Sequence, residues 1–361
     1  MTILAGTLAV LLMAATLLPM LPLSHGLVRI GDFPRQQVLV IALAACIAAV
    51  VWNDGSLASA ALATAFAAVA AIQAVHVLRF TPLWRKQSAR YDPARDHGRP
   101  FRLVTSNVKM SNRQYGRLIA ELEQHDPDIV VLMEVDEGWR NALSGVLERY
   151  PEVVARPQDN SYGMILASRF RLSDTSVDCL LTDGVLSIIT TVHLEQAGFD
   201  FRLYAIHPEP PVPHHGSEGR DGETALVALK VRAENLPVLV TGDLNDVAWS
   251  GTTHRFRRVS RLLDPRIGRK VFSTFDARFP VMRWPLDHLF HSPQFRLKAM
   301  ERLPACGSDH FPVMFDMVLC PDGKAETKPE EADEADMSRA RDLADQARER
   351  KEKPIGTNWE G

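Results

Sequence analysis

Three stretches without a charged side chain dominate the start of this chain. Residues 1–27, 36–53 and 55–78 contain no Asp, Glu, Lys or Arg. A compact water-soluble domain rarely leaves three such runs almost in tandem, because one face of each helix normally meets water. Residues 3–23 supply about 20 apolar positions, enough to span a bilayer as a helix. Residues 37–52 are short for a span, and residues 57–77 are Ala-rich and less apolar. We read three transmembrane helices in a membrane domain of residues 1–80. The first stretch does not read as a secretory signal. It has no positive n-region, and Pro19 and Pro22 interrupt its end without a small-residue cleavage site.

Orientation follows from the Lys and Arg of the flanks. Arg29, Arg35, Arg79, Arg85, Lys86, Arg90 and Arg95 all fall on one side if the N-terminus lies outside. The expectation is an integral protein of a bacterial-type inner or plasma membrane, with the following domain in the cytoplasm. Over the whole chain 41 Lys and Arg face 44 Asp and Glu, a net charge of −3. That balance excludes a protein basic all over, of the kind that coats nucleic acid. The four cysteines, Cys46, Cys179, Cys306 and Cys320, share no short spacing, so neither a zinc site nor a disulfide framework is expected.

Residues 81–100 read as a polar linker. From Phe101 the pattern changes to strands alternating with helices. Strands are expected at 101–108, 128–133, 163–167, 186–193, 201–206, 238–241, 286–291 and 311–317, and helices at 115–124 and 222–235. This is a layered α/β domain of residues 101–321 with one core. Residues 322–361 carry 12 acidic and 8 basic residues and few large apolar ones. They read as a charged tail, disordered or forming a solvated helix near 330–352.

Polar and metal-capable residues recur at the ends of the expected strands. Asn107 closes Val-Thr-Ser-Asn-Val, Glu134 closes Ile-Val-Val-Leu-Met-Glu, and His207 follows Leu-Tyr-Ala-Ile. Asp243 and Asn245 lie in Gly-Asp-Leu-Asn, Asp287 and His288 in Leu-Asp-His-Leu-Phe, and Ser308, Asp309 and His310 in Gly-Ser-Asp-His-Phe-Pro. Singly, each has an ordinary reading as a solvated strand end, a structural histidine or a turn. Together they converge on one sheet edge, where layered α/β folds place their sites.

As an ordered set these motifs resemble the endonuclease/exonuclease/phosphatase superfamily, over roughly residues 101–319. The resemblance implies a four-layer α/β/β/α sandwich and hydrolysis of phosphoester bonds in DNA, RNA, phosphoinositides or sphingomyelin. It implies Mg2+, with Mn2+ as a substitute, held by Glu134 and Asn107, with Asp309 as a further metal-side carboxylate. It implies Asp243 as proton acceptor from water, Asn245 as donor to a phosphate oxygen, and His310 oriented by Asp287. His207 resembles the second histidine of the deoxyribonuclease and sphingomyelinase branches. Tyr162, in Ser-Tyr-Gly-Met-Ile-Leu, matches a position near the phosphate.

Two departures stand out. His207 runs into Pro-Glu-Pro-Pro-Val-Pro-His-His, where nucleases of the family often have His-Leu and a helix. The prolines fix φ and make a rigid loop beside the site; His214 and His215 read as a solvated part of that loop. Before Asp287 the chain reads Arg-Trp-Pro-Leu instead of Arg-Ile. A basic cluster of Arg255, Arg257, Arg258, Arg261, Arg266, Arg269 and Lys270 follows the Gly-Asp-Leu-Asn turn. It would suit a nucleic-acid backbone or anionic headgroups. The reading is a membrane-anchored, Mg2+-dependent phosphodiesterase, with nuclease first, lipid phosphodiesterase or phosphatase second, and a non-catalytic phosphate-binding scaffold as the rival class.

Overall fold

The computed structural model describes residues 2–194, 198–320, 328–350 and 352–355. Its N-terminal part holds α1 (Thr2–Leu17), α2 (Gly26–Ile30), α3 (Arg35–Val51) and α4 (Leu57–Leu78). Helices α1, α3 and α4 bundle around Leu12, Ala42, Phe66 and Val69. Two segments are long and apolar enough to cross a membrane, Ile3–Met20 and Leu57–Leu78. The expectation of three is corrected here. Helix α3, with 17 residues and Arg35 at its start, is shorter than either of them.

The remainder contains β1 (Arg99–Asn107), α5 (Tyr115–His125), β2 (Ile129–Met133), α6 (Glu137–Ala142), α7 (Ser144–Leu147), β3 (Glu152–Arg156), β4 (Met164–Ser168), β5 (Arg171–Cys179), β6 (Leu186–Leu194) and β7 (Phe199–Ile206). It continues with α8 (Glu218–Arg232), β8 (Val238–Asp243), α9 (Gly251–Ser260), β9 (Asp287–His291), β10 (Phe295–Arg302), β11 (Val313–Leu319) and α10 (Glu334–Glu349). Two sheets form, ordered β10-β11-β1-β2-β4-β3 and β5-β6-β7-β8-β9.

Period-two alternation decides the layers. In β1, Phe101 and Leu103 face the second sheet, where they meet Val192, Leu203 and Leu239. Val104 faces the other way, with Val130 and Ile165, onto Leu118, Trp139 and Val146 of the helices α5 to α7. On the far side Tyr204, Val240 and Phe290 pack on Val227, Phe256 and Leu343 of α8, α9 and α10. The domain is a mixed α/β sandwich of two sheets with helices on both outer faces.

Helix α10 is not the solvated helix expected of the tail. Ala340, Leu343, Ala344 and Ala347 are buried. Its approach to α8 needs Gly222, where an added Cβ would stand 2.3 Å from the Ala347 Cβ.

Topology concentrates the strand ends. β1 pairs parallel with β2, and β7 pairs parallel with β8. Parallel partners end on the same edge, so Asn107, the residue after Met133, the residue after Ile206, and Asp243 all meet there. β9 runs antiparallel to β8 and starts at that edge, with Asp243 opposite Asp287. Gly242 has φ +144°, and a Cβ there would lie 1.9 Å from the Ile206 carbonyl oxygen. Only glycine lets β8 approach β7 at this point.

The N-terminal bundle is fixed to the sandwich by buried polar contacts. Arg29 Nε donates to Asp221 Oδ2 at 2.9 Å, and both side chains are buried. Asp221 also accepts from Arg220, whose Nη1 donates to the Asn245 carbonyl at 3.0 Å. Trp249 Nε1 donates to the Asp32 carbonyl at 2.8 Å, and His25 bridges to Gly216.

Candidate active site

Glu134 stands one residue beyond β2, in the left-handed region at φ +60°. Such backbone is costly for a non-glycine residue and is found where structure around it enforces a geometry. Its Oε1 accepts from Asn107 Nδ2 at 2.7 Å, and its Oε2 accepts from the Met110 amide at 3.2 Å. Burial nevertheless pushes its carboxyl up to about 7. Asn107 Nδ2 also donates to Asp243 Oδ2 at 3.0 Å and so joins the two sheets at the site.

Asp243 sits between two histidines. His310 Nε2 is 3.4 Å and His207 Nε2 is 3.9 Å from its Oδ2. His310 Nδ1 lies 2.9 Å from Asp287 Oδ2. Burial lowers the His310 pKa, but Asp287 and Asp243 outweigh it and raise the ring to about 10. His207, without such a close carboxylate, is held down to about 4 by burial against a smaller pull from Asp243. The two rings therefore differ at neutral pH: His310 is cationic and His207 neutral. Burial raises the Asp243 carboxyl, opposed by His310.

The other expected residues lie in the same cavity with different engagements. Asn245, at φ +51°, donates its amide Nδ2 to the Pro208 carbonyl at 2.9 Å, and its backbone N–H to Asp243 Oδ1 at 2.9 Å. Asp309 Oδ2 accepts from Lys109 Nζ at 2.8 Å and lies 3.5 Å from Arg278. Burial raises that carboxyl, but His310 and Lys109 outweigh it and keep it low. Tyr162 packs tilted against the His207 ring, 5.5 Å between centroids, and donates its hydroxyl to the Ile355 carbonyl at 2.6 Å. His288, next to Asp287, points away: its Nε2 lies 2.8 Å from the Asp246 carbonyl, and its Nδ1 is 2.7 Å from Arg266. His214 and His215 are exposed.

A hard divalent cation fits this donor set at Glu134. The carboxylate is half-buried, its hydrogen-bond donors are the neutral Asn107 amide and Met110 N–H, and Asp243 shares the Asn107 amide. Donor atoms of Asp243, Asp287 and His310 also lie within 4.8 Å of one another. That trio suits an ion less well, because a cationic imidazolium cannot ligate and repels the charge.

Sequence reasoning missed several neighbours. Phe275 packs on the His310 ring at 4.8 Å between centroids. Lys109 holds Asp309, and Thr274 Oγ1 accepts from the Asp287 amide at 3.1 Å. None of these sits in a motif. The N-terminal residues Leu18, Leu27, Ile30 and Phe33 also line the cavity. Their apolar character was visible, but nothing local placed them against strand ends more than 70 residues away.

The basic cluster has no free cationic face toward the cavity. Arg255, Arg258 and Arg261 pair with Asp336, Asp333 and Glu331 of the tail. Arg257 and Arg266 are buried, the latter against Asp264.

No protein of curated function matches the sequence. Solved structures match the fold. Among them, D. rerio TDP2 complexed with single strand DNA product is 17% identical with TM-score 0.50, covering 60% of this chain and 98% of that one. The human Nocturnin catalytic domain with bound sulfate anion is 17% identical with TM-score 0.50, covering 62% and 96%. An endonuclease/exonuclease/phosphatase from Bacteroides vulgatus is 20% identical with TM-score 0.50, covering 61% and 99%. The profile of the Endonuclease/Exonuclease/phosphatase family spans residues 104–310, more than half of the sequence, and the chain belongs to that family.

Proposed function

We propose that this protein is a divalent-metal-dependent phosphoester hydrolase held at a membrane by its N-terminal helices. One observation carries the chemistry: Asn107, Glu134, Asp243, Asp287 and His310 are brought together where both sheets end, all of them buried except the half-buried Glu134. A Mg2+ or Mn2+ ion bound at Glu134 and Asn107 would polarise a phosphoryl oxygen and offset its charge. Asp243 accepts the proton of the attacking water. His310, kept protonated by Asp287, donates hydrogen bonds to the phosphoryl group as negative charge grows there. Asn245 holds the Asp243 carboxylate in place through its backbone N–H, and His207 and Tyr162 line the approach.

Membrane attachment rests on the exposed outer faces of the helices. Ile3, Leu4, Val10 and Leu11 of α1 and Val40, Ile47, Val50 and Val51 of α3 are among the exposed large apolar residues. Apolar surface on that scale marks contact with lipid or another apolar partner. Nucleic acid is the second reading of the substrate, supported by the fold shared with D. rerio TDP2, which was solved with a single strand DNA product. The basic cluster weakens it, because none of its residues lines the cavity and Arg255, Arg258 and Arg261 pair with the tail.

The test is hydrolysis of bis(p-nitrophenyl) phosphate by the full chain in maltoside micelles. Turnover should require Mg2+ or Mn2+, stop in EDTA, and fall about 10³-fold or more in Glu134→Ala and His310→Ala. Turnover untouched by both variants sinks the proposal.

A further inference from the structure

We infer that the substrate is an amphiphilic phosphoester of the lipid class, with its phosphate on the strand-end groups and its apolar tail along the N-terminal segment. This rests on the hydrolase reading and names the substrate for that same site. The catalytic groups open into one cavity of about 630 Å³, within the range of roughly 300–1,000 Å³ that encloses a small organic ligand. Glu134, Asp243 and His310 form one end. Leu18, Leu27, Ile30 and Phe33, with Val212 and Trp284, supply an apolar wall, and ring contacts run from His310 through Phe275 and Trp284 to Phe33.

The chemistry of that lining discriminates between substrate classes. Among the described residues it includes no Lys or Arg. A nucleic acid brings one charge per nucleotide and is held by cations along its track. A sugar phosphate needs convergent polar groups for its hydroxyls. A molecule with one phosphate and one long apolar part meets both ends of this cavity with matching chemistry.

The apolar wall is built into the protein. Arg29 and Asp221 form a buried ion pair immediately beside Leu27 and Ile30. The Gly26 amide donates to the His215 carbonyl at 2.9 Å, and a Cβ on Gly26 would stand 1.8 Å from the Val212 carbonyl oxygen. The proline loop, rigid in φ, is thus closed against the N-terminal segment. The lining also reaches Ala15 of α1, within the segment Ile3–Met20 that is long and apolar enough to cross a membrane. The cavity lining at Ala15 and the exposed apolar residues Val10 and Leu11 thus share helix α1, so an apolar tail would enter along that helix.

The test uses the full chain in maltoside micelles with Mg2+ and a series of methyl, butyl and octyl p-nitrophenyl phosphates. In each, the oxygen of water bonds to phosphorus, p-nitrophenolate leaves with the electron pair of the broken P–O bond, and the proton of water passes to Asp243 and from there to solvent. The expected kcat/KM rises about tenfold or more from methyl to octyl. Ile30→Asn and Leu27→Asn should each cut the octyl-to-methyl ratio about threefold or more, a ratio that cancels losses of folded protein. A dodecyl phosphate carrying a terminal diazirine, photolysed in EDTA, should label residues 15–34. Equal rates along the series, faster cleavage of a single-stranded DNA oligonucleotide, or labelling elsewhere overturns the inference. Cleavage of every probe without a chain-length effect leaves the hydrolase standing; cleavage of none removes the hydrolase, and the photolabel still decides the tail site.

Discussion

The floor and the roof of the catalytic cavity are made in opposite ways. The floor is a set of polar side chains at strand ends, fixed by hydrogen bonds within and between the two sheets. The roof is an apolar segment from the far end of the sequence, fixed by one buried ionic cluster and a few backbone contacts. The floor is placed by β-topology, so it survives any attachment to the sandwich. The roof is placed by the attachment itself. Within one family, chemistry can therefore stay constant while the added segment sets what the site can reach.

The sharpest way to break this contrast is to cut the roof free. Burial raises the Asp221 carboxyl, but Arg220 and Arg29 outweigh it and hold it low. Asp221→Ala leaves two guanidinium groups buried without their carboxylate. Removing one partner of a buried ion pair costs about 3–5 kcal/mol. We expect that loss in urea unfolding followed by near-ultraviolet circular dichroism, together with loss of any preference for long-chain probes. A change below about 1 kcal/mol would mean that the bundle is held mainly by other contacts.

A smaller effect tests the floor alone. The His310 pKa is raised in the fold to about 10 from its ordinary value of 6.5. A raised group stabilises the fold fully below its unfolded pKa and ceases to do so as pH climbs through the folded value. Asp287→Asn removes the carboxylate charge nearest the ring. In metal-free protein the stability gap between wild type and Asp287→Asn should be about 2 kcal/mol near pH 6, then narrow as pH rises from about 6.5 to about 10. A gap independent of pH would show that the His310 proton is not held by Asp287.

The same division governs what could be read from the sequence. Central strands were legible because they are buried on both faces and read as apolar runs, as in Ile129–Met133 and Val238–Asp243. The strands that escaped notice, Glu152–Arg156, Arg171–Cys179 and Phe295–Arg302, all sit at sheet edges. There one face meets water, and the residues are mixed and partly exposed. Site residues at strand ends were legible because a polar residue after an apolar run is a local signal. Phe275 and Lys109 were not, since each is defined by a partner far along the chain. The apolar character of α1 was plain in the sequence, but its neighbour was not. The basic run at 255–270 read as a free surface because its partners, Glu331, Asp333 and Asp336, lie in a tail whose composition suggested solvation.

The smallest expected effect lies where floor and roof meet the tail. Tyr162 is buried beside His207, and its hydroxyl is engaged by the Ile355 carbonyl. Glu209 anchors the same stretch by accepting from the Ile355 amide at 2.9 Å and pairing with Arg350. If the hydroxyl serves the tail, Tyr162→Phe loses one hydrogen bond, about 1 kcal/mol of stability, and its kcat stays within about threefold of wild type. If the tail leaves the site during turnover, the freed hydroxyl can reach the phosphate, and the same variant should lose kcat by about tenfold or more, the scale of one lost transition-state contact. Unfolding and steady-state hydrolysis on the one variant separate the two. A large kcat loss with little change in stability places Tyr162 on the floor of the cavity, and the reverse places it with the tail.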